Sequence, residues 1–198
     1  MELLTGLGLA TAAGLNAYIP LLALGLLSRF TDLVVLPAGW AWLENGWVMA
    51  IVATLLVVEI VADKVPALDS VNDAVQTFVR PTAGGIVFGS GTAAQTSAVT
   101  DPGAFAESGR WIPVVIGVVV ALAVSLTKST VRPAANVATA GVAAPVLSTV
   151  EDSVSVGLVF VAILVPVLVL VAVVVLAWLA VRILRRRRRS GASEKSGS

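Results

Sequence analysis

The chain has no cysteine and no histidine. The first absence rules out disulfides and thiolate metal sites. The second removes imidazole ligands, His-bound haem and every mechanism that relies on a His base, while cysteine usage says nothing about redox compartment. Charge is scarce as well, at 13% of residues against roughly 25% in an ordinary soluble domain. What fills the 198 residues instead is apolar side chain, 58% of the total before 17 glycines are added. One water-soluble core of this size could not hide so many Val, Ala and Leu, because a surface needs polar groups to face water. Lipid is the expected solvent, and no cofactor is expected. The opening Met1, Glu2, Leu3 and Leu4 lacks the positive n-region of a signal peptide, so the first apolar stretch is expected to stay as a membrane segment.

Apolar stretches run over 6–27, 48–62, 82–99, 112–126, 134–150 and 153–184, most of them near the roughly 20 residues that carry a helix across a bilayer. They predict an all-α polytopic bundle of six spans over 1–184, followed by a tail at 185–198. The last stretch is too long for one straight span and must tilt, protrude or bend at Pro166. The stretch 134–150 is Ala-rich and contains Pro145, so it reads either as a span or as a re-entrant or broken helix. The first, third and fifth stretches are rich in Gly, Ala, Ser and Thr and the others in Val, Leu and Ile. Small residues allow close helix packing, which predicts the small-residue helices inside and their partners outside.

The net charge of +1 is unevenly spread: 182–195 holds seven of the 13 basic residues, and 1–181 carries six basic against eleven acidic side chains, a balance of −5. Arg185, Arg186, Arg187, Arg188 and Arg189 directly follow an apolar run. That placement favours a cytoplasmic anchor on anionic lipid headgroups over nucleic-acid binding. The Ser- and Gly-rich end is expected to be disordered. With six spans and both termini cytoplasmic, inner segments hold Lys64, Arg80, Lys128, Arg132 and the tail, while outer loops hold only Arg29 and Arg110. Trp40, Trp42 and Trp47 suit an outer aromatic belt.

The densest charge pattern lies at 63–81. Leu68, Val71, Val75 and Phe78 recur at helical spacing, with Asp69, Asp73, Gln76 and Arg80 on the other side. Pro66 suits the first turn, the acids favour the N-terminal end, Arg80 the C-terminal end, and Pro81 is expected to stop the helix. The chain resembles the bacterial integral-membrane proteins grouped as domain of unknown function 4126. The resemblance rests on Asp63, Lys64, Pro66, Asp69, Asp73, Thr77, Phe78, Arg80 and Pro81, then Thr127, Lys128, Arg132, Asn136, Glu151 and Asp152, with Gly14, Leu15, Asn16, Ala17 and Tyr18 at the start. It covers nearly everything before the tail and implies a multi-pass membrane protein, with no activity attached. Asn72 and Gln76 depart from the Trp and His common in that pattern.

Polar groups at membrane depth mark the candidate site. Glu59 stands one turn before Asp63, where a charge at mid-bilayer costs about 2.5 to 3.5 kcal/mol and needs a partner. Lys64, Arg80, Lys128 and Arg132 are the available cations. Asn16, Tyr18, Gln95 and Asn136 fall in the small-residue stretches, and Pro20 and the glycines near 84–91 favour broken helices of the kind that line transport sites. Glu151 and Asp152 read as an outer acidic mouth if 134–150 spans, or as a buried acidic pair if it is re-entrant. Enzyme signatures are weak: Ser125 and Lys128 match a nucleophile spacing without its companion motifs, and no enzyme is expected. Two functions follow. One is a small-solute or ion transporter or channel whose vestibule or gate uses these residues, with homo-oligomerisation a way to enclose a path. The alternative is an assembly protein whose charged cytoplasmic helix docks a partner.

Overall fold

The structure, a computed structural model, describes residues 2–91, 109, 111–139, 142–178 and 181–182. Among these every regular element is a helix: α1 Glu2–Leu15, α2 Tyr18–Phe30, a short 3-10 helix Ala38–Glu44, α3 Gly46–Ala62, α4 Pro66–Gly91, α5 Trp111–Ala138, α6 Ala143–Leu164 and α7 Val167–Trp178.

α1 occupies the middle, packed against α4, α5 and α6. It is buried almost continuously from Gly6 to Gly14, and its small residues are the reason. A methyl group added at Gly8 would lie 2.6 Å from the Ala162 side chain, and one at Gly14 would lie 2.8 Å from the Ala121 carbonyl oxygen. α4 and α5 meet in the same way, with the Gly117 carbonyl oxygen only 2.7 Å from the place a Gly84 methyl would fill. Backbones approach this closely only where no side chain intervenes.

The stretch 6–27, expected to be one span, is broken. Helix α1 ends at Leu15, and Asn16 Oδ1 accepts hydrogen bonds from the backbone N–H groups of Tyr18 and Ile19 at 3.0 and 3.2 Å, capping a second helix. Pro20 falls in the first turn of α2, where a missing N–H costs nothing. The two helices double back as a hairpin. At its open end, Gly91 of α4 touches Gly6 and Leu9 of α1, Gly25 of α2 touches the Leu43 carbonyl, and Gly89 of α4 faces the Trp40 ring. Its tip, at Asn16, lies at the other end with Asp63, Lys128 and Asp152.

Length and apolarity qualify two helices to cross a membrane, Trp111–Arg132 within α5 and Ala144–Leu164 within α6. A third qualifies if the 3-10 helix and α3, bent by 63°, form one span. Six spans were expected, and among the described residues two or three helices meet this test. Residues 134–150 make no helix of their own, but straddle the end of α5 and the start of α6. Of 82–99, the part up to Gly91 completes α4, which runs through Pro81 instead of stopping there; the rest lies outside the described residues. The long last stretch does break at Pro166, with α6 ending at Leu164 and α7 starting at Val167, since a residue before proline is pushed out of helical geometry.

The polarity of the bundle is inverted relative to a water-soluble one. α3 exposes Ile51, Leu55, Val57, Val58 and Val61, and its one buried side chain is Glu59. α4 turns Leu68, Val71, Val75 and Phe78 outward and buries Gln76 and Arg80. Exposed apolar surface on this scale marks contact with lipid or another protein. Trp42 and Trp47 also face outward, as an aromatic belt requires, whereas Trp40 packs inward on Gly89.

Candidate functional site

Charges that the apolar exterior cannot hold collect at the hairpin tip. Arg80 of α4 reaches Glu59 of α3 and Asp73 of its own helix, each at 3.3 Å. Arg132 of α5 donates to Asp63 at 3.1 Å and lies 3.6 Å from Asp73 and 4.0 Å from Glu151. Lys128, one turn earlier on α5, lies 2.9 Å from Glu151 and 3.6 Å from Asp63. Four carboxylates and three cations from α3, α4, α5, α6 and the α3–α4 junction thus form one connected network. The three cationic side chains are at most 3% exposed, so pairing is obligatory rather than ornamental: one partner lost leaves a buried charge uncompensated.

Local sequence explains the convergence. Asp73, Gln76 and Arg80 follow one another at helical steps and share a face of α4, and Lys128 and Arg132 stand four apart on α5. Asp63 follows the last residue of α3. Burial there would raise its carboxyl, but Lys128, Arg132 and a 2.6 Å hydrogen bond from the Asn72 amide outweigh burial and hold Asp63 below the usual carboxylate range.

The hairpin tip is stitched to this network. Lys128 Nζ donates to the Leu15 carbonyl at 3.1 Å, so the last carbonyls of α1, the negative end of its dipole, face a cation. The Asn16 amide donates to Asp152 at 2.9 Å while its oxygen caps α2. The Ser155 hydroxyl donates to the Ala12 carbonyl at 3.1 Å. Beside them Tyr18 and Gln76 are both buried.

Of the residues singled out by sequence, Asn16, Tyr18, Glu59, Asp63, Asp73, Arg80, Lys128, Arg132, Glu151 and Asp152 come together here. Lys64 does not: it is exposed and its ammonium donates to the Ile60 carbonyl of its own chain turn. Glu151 and Asp152 are not a mouth at the opposite end, because both lie on the same network as Asp63. Gln95 and the arginines at 185–189 lie outside the described residues, as do the side chains of Asp69 and Asn136. Sequence reasoning passed over Asn72 and the Leu15 carbonyl. The carbonyl had no signal, since a backbone acceptor becomes a site only where a helix stops.

Among the described residues no group of three or more acidic ligands has the arrangement of a metal site. A family model described as a domain of unknown function (DUF4126) matches residues 3–186. No curated protein and no solved structure matches the chain.

Proposed function

The chain belongs to the DUF4126 family, whose description assigns no activity, and from its site we propose a multi-pass membrane protein that moves a small solute or ion, with the buried charge network as vestibule or gate. The observation that carries this reading is the hairpin. α1 and α2 have 14 and 13 residues, about 21 and 20 Å at 1.5 Å per residue, too short for a hydrocarbon core of about 30 Å. Neither helix crosses alone, so the chain turns back at Asn16 inside the protein, and in a membrane interrupted helices are tolerated only when buried in protein or lining a cavity. Discontinuous helices whose ends present backbone dipoles to a polar cluster are the usual architecture of solute and ion sites in transporters.

The network would act as a barrier as well as a guide. Its ion pairs hold α3, α4, α5 and α6 together at the tip, so passage requires some of them to exchange partners. Arg132 lies within 4.0 Å of three carboxylates, and Lys128 touches two carboxylates and a carbonyl, which gives each cation alternative partners. The rival role, docking a protein through the charged side of the helix at 63–80, has less support, because Gln76 and Arg80 are buried and Asp73 is bonded inside.

Reconstituted vesicles test the proposal. Uptake or conductance for at least one member of a broad panel of ions and small solutes is expected, with a fall of tenfold or more in Lys128→Met. Silence across the panel, with a specific membrane partner recovered on the same preparation, would replace transport by assembly.

A further inference from the structure

Helix α4 carries its charge on the inside. Leu68, Val71, Val75, Phe78 and Thr82 follow one another at steps of three and four and form one outward stripe, with Phe78 78% exposed. On the opposite side Gln76 and Arg80 are buried and Asp73 is paired with Arg80. A helix lying on a cytoplasmic surface would be turned over, its charges toward water and its apolar stripe against the protein. Water is a poor solvent for such a stripe, so something apolar covers it.

The surroundings identify the cover. The other three helices that feed the charge network are apolar outside at the same places: Val58, Leu126 and Val150 are exposed within two residues of Glu59, Lys128 and Glu151. A protein docked on α4 would leave those faces bare, whereas a bilayer meets all four. On α5 and α6 they continue the outer faces of Trp111–Arg132 and Ala144–Leu164, the stretches long and apolar enough to cross a membrane. Outward hydroxyls are satisfied without water. Thr54 of α3, Thr82 of α4, Thr127 of α5 and Thr149 of α6 each donate to the carbonyl four residues earlier on their own helix, at 2.8 to 2.9 Å. Hydrocarbon requires this, since it offers a polar group no partner. Lys64 marks an edge: it is exposed just before α4 begins, and its long stem suits an ammonium held at the phosphate layer.

We propose that the outer stripe of α4, from Leu68 to Phe78, is immersed in the acyl chains of a bilayer, with Lys64 at the level of the lipid phosphates. Overall composition hides this, because it counts Asp69, Asp73 and Arg80 although only the outer side meets lipid. The charge network then stands behind a lipid-facing helix instead of in a water-filled cytoplasmic mouth. This rests on the membrane reading of the chain and is independent of whether anything is transported.

The test uses the full chain, free of cysteine, in vesicles of phosphatidylcholine and phosphatidylglycerol. Val71→Cys, Val75→Cys, Phe78→Cys and Lys64→Cys are spin-labelled one at a time, and collisions of each label with oxygen, which concentrates in lipid, and with a water-soluble nickel chelate are measured by power saturation. Val119→Cys, exposed on the spanning stretch of α5, serves as the lipid reference. Positions 71, 75 and 78 are expected to match 119, with oxygen favoured severalfold, and position 64 to favour nickel. Nickel favoured at 71, 75 and 78 while 119 favours oxygen puts the stripe in water. Few collisions with either reagent put a second copy or another protein over it. Both results overturn the proposal and leave the membrane reading standing, whereas nickel favoured at 119 as well removes the two together. A lipid with a photoreactive acyl chain repeats the test on the unsubstituted protein: adducts within 68–78 are expected, and their absence beside adducts within 111–132 overturns the proposal.

Discussion

Asp63 accepts from Arg132 and Asn72 and lies 3.6 Å from Lys128, so Asp63→Ala leaves two buried cations short of their counter-charge. Loss of one partner from a buried pair costs about 3 to 5 kcal/mol, and a fall of that order is expected in equilibrium unfolding of the detergent-solubilised protein. The same residue predicts acid sensitivity. Its carboxyl is held below the ordinary value of 3.8, so the folded state binds its proton less readily than the unfolded chain. The stability this supplies is complete above the unfolded value and drains away as pH falls through the folded one. Unfolding midpoints followed downward in pH should show that loss in the wild type and a smaller one in Asp63→Asn. Most of the charged residues that meet were visible beforehand, because a charge in an apolar chain must find a partner. Lys64 was misjudged for a physical reason: it is adjacent to Asp63 in sequence, yet a long side chain at a helix end can reach solvent and leave the network.

Glycine at the α4–α5 crossing governs how close two elements come. Gly84→Val would push a branched side chain against the Ala121 methyl and the Gly117 carbonyl. Overpacking of this kind costs about 1 to 3 kcal/mol, with the larger loss expected for valine than for alanine at 84 in thermal unfolding. At the hairpin tip, Asn16→Ala removes a cap and the bond to Asp152 together. A cap alone is worth about 1 kcal/mol, so the drop should exceed that figure, and Asn16→Asp should restore the cap but not stability, because its carboxylate meets Asp152. Element boundaries were the least legible part of the fold. An apolar run reports lipid-compatible composition but not continuity, and the break in 6–27 depends on one asparagine whose side chain does what the next turn of backbone would have done. Helix α4 passes Pro81 for the opposite reason: proline removes one hydrogen bond, and the packing of Gly84 and Gly85 on α5 keeps the axis running.

At the scale of the molecule, the hairpin puts the start of α1 and the end of α2 together, opposite the end that carries Lys64. A chain free of cysteine makes this easy to examine. Single replacements Leu3→Cys, Leu33→Cys and Lys64→Cys fall at exposed positions. In sealed, uniformly oriented vesicles an impermeant maleimide is expected to label positions 3 and 33 from one side and position 64 from the other. Labelling of 3 and 64 from the same side would restore the continuous first span that composition suggests. The class of fold, all-helical with an apolar exterior, was readable because it follows from bulk composition. The arrangement of segments was not, because it depends on which helices are half-length, and that is decided by packing.

The central position of α1 has a bearing on how the protein is made. Translation delivers α1 first, yet the surfaces that enclose it, on α4, α5 and α6, emerge only as synthesis approaches residue 164. A short helix with little side chain of its own has few contacts to hold it in place during that interval. The enclosure of α1 therefore cannot be complete before α6 has been made, and neither can the charge network, which needs Glu151 of that helix.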